Sequence, residues 1–310
     1  MFKNAKILVI GDVMLDHYVY GVVNRMSPEA PVPVLEVEKE EFFPGGAGIV
    51  ASALTNLGAS VTFLSVIGDD PEAAQVRSLC GSSLMASVEK GRKTTVKTRF
   101  IDRKKEFLML LRADRETRAS ILPETEDSVL ALLEDAAKGA DCIIISDYAK
   151  GMLTKKLVDA ASRPARASGK RVVVDTKGDI SAYRGSNAIL VPNLHELGAA
   201  SGGEIKNEDA PVRTAALALS KSSGSVVVVK RSGKGASIAD AETGSFRTYP
   251  SMAKAVANVS GAGDIFVAIF TLALASGKTL EEAVKLANAG CARAIAKQHP
   301  SITARELEGG

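Results

Sequence analysis

Six short runs built almost wholly of apolar, mainly branched residues punctuate the chain: KILVI (6–10), VTFLSVI (61–67), CIIIS (142–146), RVVVD (171–175), AILV (188–191) and SVVVVK (225–230). These runs lack the in-out alternation of a sheet with one wet face, so they predict strands covered on both faces. Between them stand segments with apolar residues at helical spacing: GIVASALTNLG, EDSVLALLEDAAKGA, TKKLVDAASRPARASG and APVRTAALALSKSSG. Two more, DIFVAIFTLALASG and TLEEAVKLANAGCARAIAKQ, close the pattern. Strand and helix in turn predict an α/β fold, a three-layer, Rossmann-like, mostly parallel sheet with helices on both faces. Ligands of such sheets sit beyond the carboxyl ends of the strands. The loops that follow strands are therefore the places to look for chemistry.

Two segments interrupt the alternation. Residues 17–43 are extended and spaced by prolines, and residues 93–113, KTTVKTRFIDRKKEFLMLLRA, suit a hairpin turning at 102–105. Together they predict a small β-sheet that closes over a ligand as a lid; an edge extension of the main sheet would use the same residues. No repeat or linker divides the chain, so residues 1–310 are read as one domain carrying this lid. An isolated small sheet with the apolar stretches VPVLEV and FLMLL also predicts a homodimer paired through the lid.

Composition removes several classes of function. A net charge of +3 over 310 residues leaves no footprint for nucleic acid. The longest apolar run, Ile265 to Ala275, is well short of the roughly 20 residues that span a bilayer, so no membrane partner is expected. At the N-terminus the apolar core Ile7 to Ile10 is too short for a signal peptide. Cys80, Cys142 and Cys291 are widely spaced without a Cys-x-x-Cys pair, which suits buried thiols in a reducing compartment. A cytoplasmic protein is the expectation.

The chemistry concentrates in NVSGAGD (258–264), set directly before the apolar run IFVAIFTLALA. A helix starting near Ala262 offers unpaired N–H groups and the positive end of its dipole. Gly261 and Gly263 allow a ligand to approach the backbone, which makes Gly261, Ala262 and Gly263 a candidate anion hole. Asp264 would repel a resting phosphate, but suits a base that takes a proton from a hydroxyl attacking the phosphoryl group held there. A plain helix cap and turn would use the same residues. VKRSGKG (229–235) supplies Lys230, Ser232 and Gly235 for nucleotide phosphates after a strand. PNLHE (192–196) puts Asn193 and Glu196 where they could hold magnesium through water, or else form an ordinary capping box. DVMLD (12–16) and PGGAG (44–48) bring Asp12, Asp16, Gly45 and Gly46 near strand ends, suited to sugar hydroxyls.

From ILVIGDVMLD through GGAGIVASALTNLGA to VSGAGDIFVAIFTLALASG the chain resembles the PfkB (ribokinase-like) carbohydrate kinases over essentially its whole length. The stretches RMSPEAPVPV, SDYAKGML, VVVDTKGD and YRGSNAILVPNLHE are similar to the branch that phosphorylates heptose 7-phosphate on its anomeric hydroxyl. The resemblance implies ATP as co-substrate, Mg2+ as cofactor and a sugar or sugar phosphate as partner. It implies Asp264 as base, with Asn193, Glu196, Lys230, Ser232, Gly235 and Asn288 on the nucleotide side. Asp12, Asp16, Gly45 and Gly46 match its sugar positions, and Asp147, Lys150, Asp175 and Lys177 match segments of the heptose branch. A sugar phosphate needs cations, for which Lys97, Arg99, Arg103 and Arg112 of the lid, with Arg25, are candidates; a solvated charged hairpin is the alternative. Two departures stand out. Asn258 and Ser260 occupy positions where the family usually has Asp and Thr, which leaves a monovalent-cation site open. Ile49 stands where its glycine motif usually carries Asn. Another sugar or nucleoside as acceptor, or a non-catalytic ligand sensor, are the other readings.

Overall fold

The computed structural model describes residues 5–104, 108–297 and 300–308. In chain order the strands are β1 (Lys6–Gly11), β2 (Val13–Met26), β3 (Pro33–Gly46), β4 (Ser60–Ile67), β5 (Leu84–Val88), β6 (Thr95–Asp102), β7 (Leu108–Arg115), β8 (Cys142–Asp147), β9 (Arg171–Thr176), β10 (Ile189–Leu190), β11 (Val227–Lys230), β12 (Ala236–Asp240) and β13 (Ser245–Tyr249). The helices are α1 (Ala47–Asn56), α2 (Pro71–Cys80), α3 (Pro123–Gly139), α4 (Lys155–Ser168), α5 (Leu194–Ser201), α6 (Asp209–Ser223), α7 (Ala262–Ala275), α8 (Leu280–Ala294) and α9 (Ala304–Leu307).

The main sheet runs β13-β12-β11-β10-β9-β8-β1-β4-β5. Every pairing from β5 to β11 is parallel, and β12 and β13 return antiparallel. The six apolar runs are its inner strands. β5, β12 and β13 add edges whose partly wet sequences, LMASV, ASIAD and SFRTY, dilute the apolar signal. Two cores form, one on each face. One packs α1, α2, α7 and α8 on one face of β1, β4 and β8 to β11; the other packs α3, α4, α5 and α6 on the opposite face of the same strands. Among the described residues no helix is long and apolar enough to cross a membrane.

A second sheet, β3-β2-β6-β7, stands apart from the first. The stretches 17–43 and 93–113 supply most of it. β2 pairs antiparallel with β3 and parallel with β6, and β7 closes the far edge as a hairpin with β6. The expected turn at 102–105 begins as expected at Asp102 and Arg103, while Lys105 lies outside the described residues.

Register places the site. Gly11 pairs with Ser146, and Ser146 with Asp175, so β1, β8 and β9 end in one row. Asn193, just past β10, bridges to Lys230 at the end of β11. The residues that follow, Asp12, Tyr148, Lys177 and Ser232, therefore emerge on one edge, with β2 rising from β1 to carry the small sheet above it.

Candidate active site

Between the carboxyl edge of the main sheet and the small sheet lies a cavity of about 560 Å³. Its floor is the start of α7. Gly261 caps this helix with φ 77°, a left-handed conformation that glycine takes without strain, and no side chain caps it. The Ala262 N–H closes a turn onto the Val259 carbonyl at 3.1 Å, and Ile265 makes the first bond back, to Gly261, at 3.0 Å. Among the described residues the N–H groups of Gly263 and Asp264 have no backbone acceptor, as expected of a helix start. Of the three amides expected to form the anion hole at 261–263, that of Ala262 is engaged in this turn, while among the described residues that of Gly261 has no backbone acceptor either. Downstream, Ile265 to Leu274 are all buried. At about 2 kcal/mol for each large apolar side chain, this burial anchors the helix start firmly.

Asp264 is buried at the cavity wall and accepts a hydrogen bond from the Tyr148 hydroxyl at 2.5 Å. Burial, and then the nearby Asp175, push its pKa up to about 6, against the pull of Tyr148, Lys177 and Lys230. Asp175 lies wholly inside. Burial alone would raise its pKa, but Lys230 at 2.5 Å and Lys177 at 3.3 Å hold it below the usual carboxylate range. Asp175 does not reach the cavity; it aims the two lysines that do. The Lys230 ammonium comes to the N-terminus of α7, 3.5 Å from where a side chain on Gly263 would begin.

Of the residues expected to meet a nucleotide, Asn193, Ser232, Gly235 and Asn288 line the cavity, together with Gly233. Gly235 has φ 87°, and a Cβ there would sit 2.2 Å from the Tyr249 carbonyl, so the tight loop after β11 requires glycine. Asn288 donates to the carbonyls of Tyr249 and Pro250 at 3.0 and 3.2 Å, fixing the rim of an apolar wall formed by Ala253, Val256, Ala292 and Ile295. Asn193 and Glu196 form a complete capping box on α5. Glu196 Oε2 accepts the Asn193 N–H at 2.7 Å, while Oε1 accepts from Asn193 Nδ2 at 2.7 Å and pairs with Lys177 at 3.0 Å. Glu196 does not line the cavity. With both oxygens occupied it does not suit direct metal ligation, and Asn193 is the member of the pair within reach of a hydrated ion. Among the described residues no three His, Cys, Asp or Glu side chains gather to hold a metal.

The sugar side divides. Asp16, Gly46, Lys97 and Arg99 line the cavity with Met14 and Ile49. Gly45 sits behind Asp16, whose carboxylate a Cβ would meet at 2.8 Å. Arg99 pairs with Asp16 at 2.7 Å and lies over the Tyr18 ring. No carboxylate among the described residues lies within ion-pair distance of Lys97. Burial, followed by the nearby cations Lys150 and Arg112, lowers its pKa. Arg112 chelates Asp114 and Arg103 pairs with Glu38 on the outer surface, where Arg25 is also exposed. Ile49 packs on Gly261, 3.4 Å from a Cβ there, and separates the cavity from a smaller one of about 360 Å³.

Besides Gly45 and Asp175, three more expected substrate residues stand outside the cavity lining. Asp12 does not line the cavity; its carboxylate accepts the N–H groups of Tyr148 at 2.9 Å and Lys150 at 3.2 Å, bracing that loop. Burial and then Asp147 push its pKa up to about 6. Asp147 accepts from the Thr176 and Tyr183 hydroxyls at 2.8 and 2.9 Å. Lys150 pairs with Glu116 at 2.7 Å. Among the described residues, and Ser251 aside, the polar cavity residue absent from the sequence-based expectations is Tyr148, embedded in the stretch SDYAKGML. Its only signal was position, directly after a buried strand.

The family model of the pfkB family carbohydrate kinases matches residues 4–306. The chain belongs to that family. As a member of the pfkB family it has ATP as its implied co-substrate. Bifunctional protein HldE of Paramagnetospirillum magneticum is 39% identical over 300 residues, 95% of this chain and 60% of the relative. Bifunctional protein HldE of Acidiphilium cryptum is 40% identical over 288 residues, 92% of this chain and 58% of the relative. This pfkB chain therefore spans about 60% of the length of these curated relatives. The fold is shared with Escherichia coli phosphofructokinase-2 in complex with substrates and products, with TM-score 0.78, 22% identity and coverage of 98% and 97%. It is shared too with Arabidopsis thaliana ribokinase complexed with ribose and ATP, at TM-score 0.74, 16% identity and coverage of 98% and 97%.

Proposed function

We propose that this pfkB-family chain phosphorylates heptose 7-phosphate on its anomeric hydroxyl, using ATP. The observation that carries the chemistry is Asp264: a buried carboxylate beside two unpaired helix N–H groups, in a cavity with cations on both sides. Asp264 takes the proton of the acceptor hydroxyl. The freed oxygen forms a bond to the γ-phosphorus as the bond from that phosphorus to the β,γ-bridging oxygen breaks, and ADP leaves. The N–H groups of Gly263 and Asp264, with Lys230, meet the negative charge that develops on the transferred group. Lys177, held by Asp175 and Glu196, adds a second fixed positive charge. Ser232 to Gly235 cradle the nucleotide phosphates, and the wall of Val256, Ala292 and Ile295 takes the base. Magnesium, carried on those phosphates and touched by Asn193 through water, would neutralise part of their charge.

The relatives named bifunctional protein HldE support a heptose phosphate as acceptor, as does the unpaired Lys97 in the lid. A homodimer through the small sheet is supported by Leu108, Met109 and Leu111, which β7 leaves 49%, 52% and 60% exposed. One observation favours a different acceptor: Arg99, the strongest anion ligand by residue type, is already paired with Asp16. ADP release measured with ATP, Mg2+ and a panel of sugars, sugar phosphates and nucleosides decides. Turnover greatest with heptose 7-phosphate is expected. Preference for an unphosphorylated sugar would replace the acceptor and keep the kinase, while ligand binding with no turnover by any acceptor would make the chain a sensor.

A further inference from the structure

We propose that Tyr148 is a positioning residue for Asp264, with its phenol holding the carboxylate in one orientation and keeping it ionised near neutral pH. The inference rests on reading Asp264 as the base.

The geometry that carries it begins with the backbone. The Tyr148 N–H is held by Asp12 at 2.9 Å, and the preceding residue, Asp147, is tied to Thr176 and Tyr183. The Lys177 ammonium lies over one face of the ring, 5.7 Å from its centre. The phenol is thus fixed without help from Asp264, and it projects 2.5 Å from Asp264 Oδ1 into the cavity. Burial, followed by Asp264 and Asp175, raises the Tyr148 pKa well above its usual value, so the hydroxyl stays protonated and acts as a donor across the working pH range. A tyrosine needed only for packing would have no reason to aim its hydroxyl at the carboxylate read as the base. Asp12 and Asp147, which do not face the cavity as sugar ligands, acquire a purpose here: they fix the main chain on either side of this phenol.

The other charged or titratable groups near Asp264 are Asp175 and Lys177 from β9 and its following loop, Lys230 from β11 and the Cys291 thiol from α8. Asp16 with Arg99 stands across the cavity on the lid. Asp175 and burial favour the protonated acid; Lys177, Lys230 and Tyr148 favour the carboxylate. A hydrogen bond donated to the ionised form lowers its pKa, so loss of the phenol must raise it.

The test follows the Asp264 carboxyl carbon by 13C NMR through a pH titration, with the resonance assigned from its disappearance in Asp264→Asn. In Tyr148→Phe the midpoint is expected to rise by about one unit. The acid limb of kcat/KM should move upward by the same amount, with KM for ATP unchanged. Replacement of Tyr148 by 3-fluorotyrosine, which keeps the shape and strengthens the donor, should move the midpoint the other way. It serves as the deciding variant if Tyr148→Phe fails to fold. An unmoved midpoint, or activity reduced by one factor at every pH, overturns the inference. The NMR readout needs no turnover, so a wild type inactive toward every acceptor would sink the kinase reading and leave the titration to judge Tyr148.

Discussion

At the scale of single residues, Asp264, which we propose is the base, carries a cost to the fold. Its folded pKa of about 6 lies above the ordinary value of 3.8, so the native state holds its proton more tightly than the unfolded chain does. The ionised carboxylate therefore costs stability, fully above pH 6. This cost shrinks as pH falls through 6 and is gone below about pH 4. Two units correspond to on the order of 1–3 kcal/mol. Asp264→Asn should raise Tm at pH 7.5 by a few degrees, roughly 2–4 °C per kcal/mol, while lowering kcat by about 10²–10⁴. Thermal melts at pH 7.5 and pH 4.5 check the sign, since the gain should fade at the lower pH. A Tm lowered at both would mean that the carboxylate is a structural partner. Asp264 was legible because glycine turns, an acid and an apolar helix coincide in seven residues. Tyr148 was not legible, because a tyrosine after a strand carries no mark of where its hydroxyl points. Asp12 and Asp147 pose a related problem: an acid at a strand end suits a ligand and a loop brace equally, and here both carboxylates hold backbone N–H groups of 148–152.

At the scale of elements, β6 sets what the lid can recognise. Lys97 and Arg99 stand on the same face of this strand, opposite Asp16 and Tyr18 of β2. The sequence pattern made both available to a substrate phosphate. The structure separates them, because a carboxylate two positions from Tyr18 captures Arg99 and leaves Lys97 without an ion pair. Lys97→Ala should thus raise KM for heptose 7-phosphate about ten-fold or more, since a charged hydrogen bond contributes about 1.5–3 kcal/mol. KM for ATP should be unchanged. Steady-state kinetics with both substrates varied is the check, and an unaltered sugar KM would move the phosphate site away from Lys97. The long strands β2 and β3 were foreshadowed only as extended, proline-spaced chain. The inner strands of the main sheet were plain from their Val/Ile runs, since strands covered on both faces admit little else.

At the scale of the whole molecule, the layered α/β architecture was readable because each apolar segment must be covered by its neighbours in a fixed order. The antiparallel edge β12–β13 was not, because edge strands half in water carry mixed sequences. The apolar wall of the cavity escaped too: Ala253, Val256, Ala292 and Ile295 come from separate segments and each looks like ordinary core. The small sheet ends in an apolar open edge, which we propose is covered by a second copy. Sedimentation velocity at micromolar concentration should show a dimer, and Leu111→Glu should shift it to monomer; a monomeric wild type would refute the pairing. The central claim concerns the reaction itself. The most direct measurement is 31P NMR of ATP, Mg2+ and heptose 7-phosphate incubated with the wild type and with Asp264→Asn in parallel. The expected result is a new anomeric phosphate ester formed in step with ADP by the wild type, and almost none by the variant. No new ester with the wild type, or equal amounts from both proteins, would contradict it.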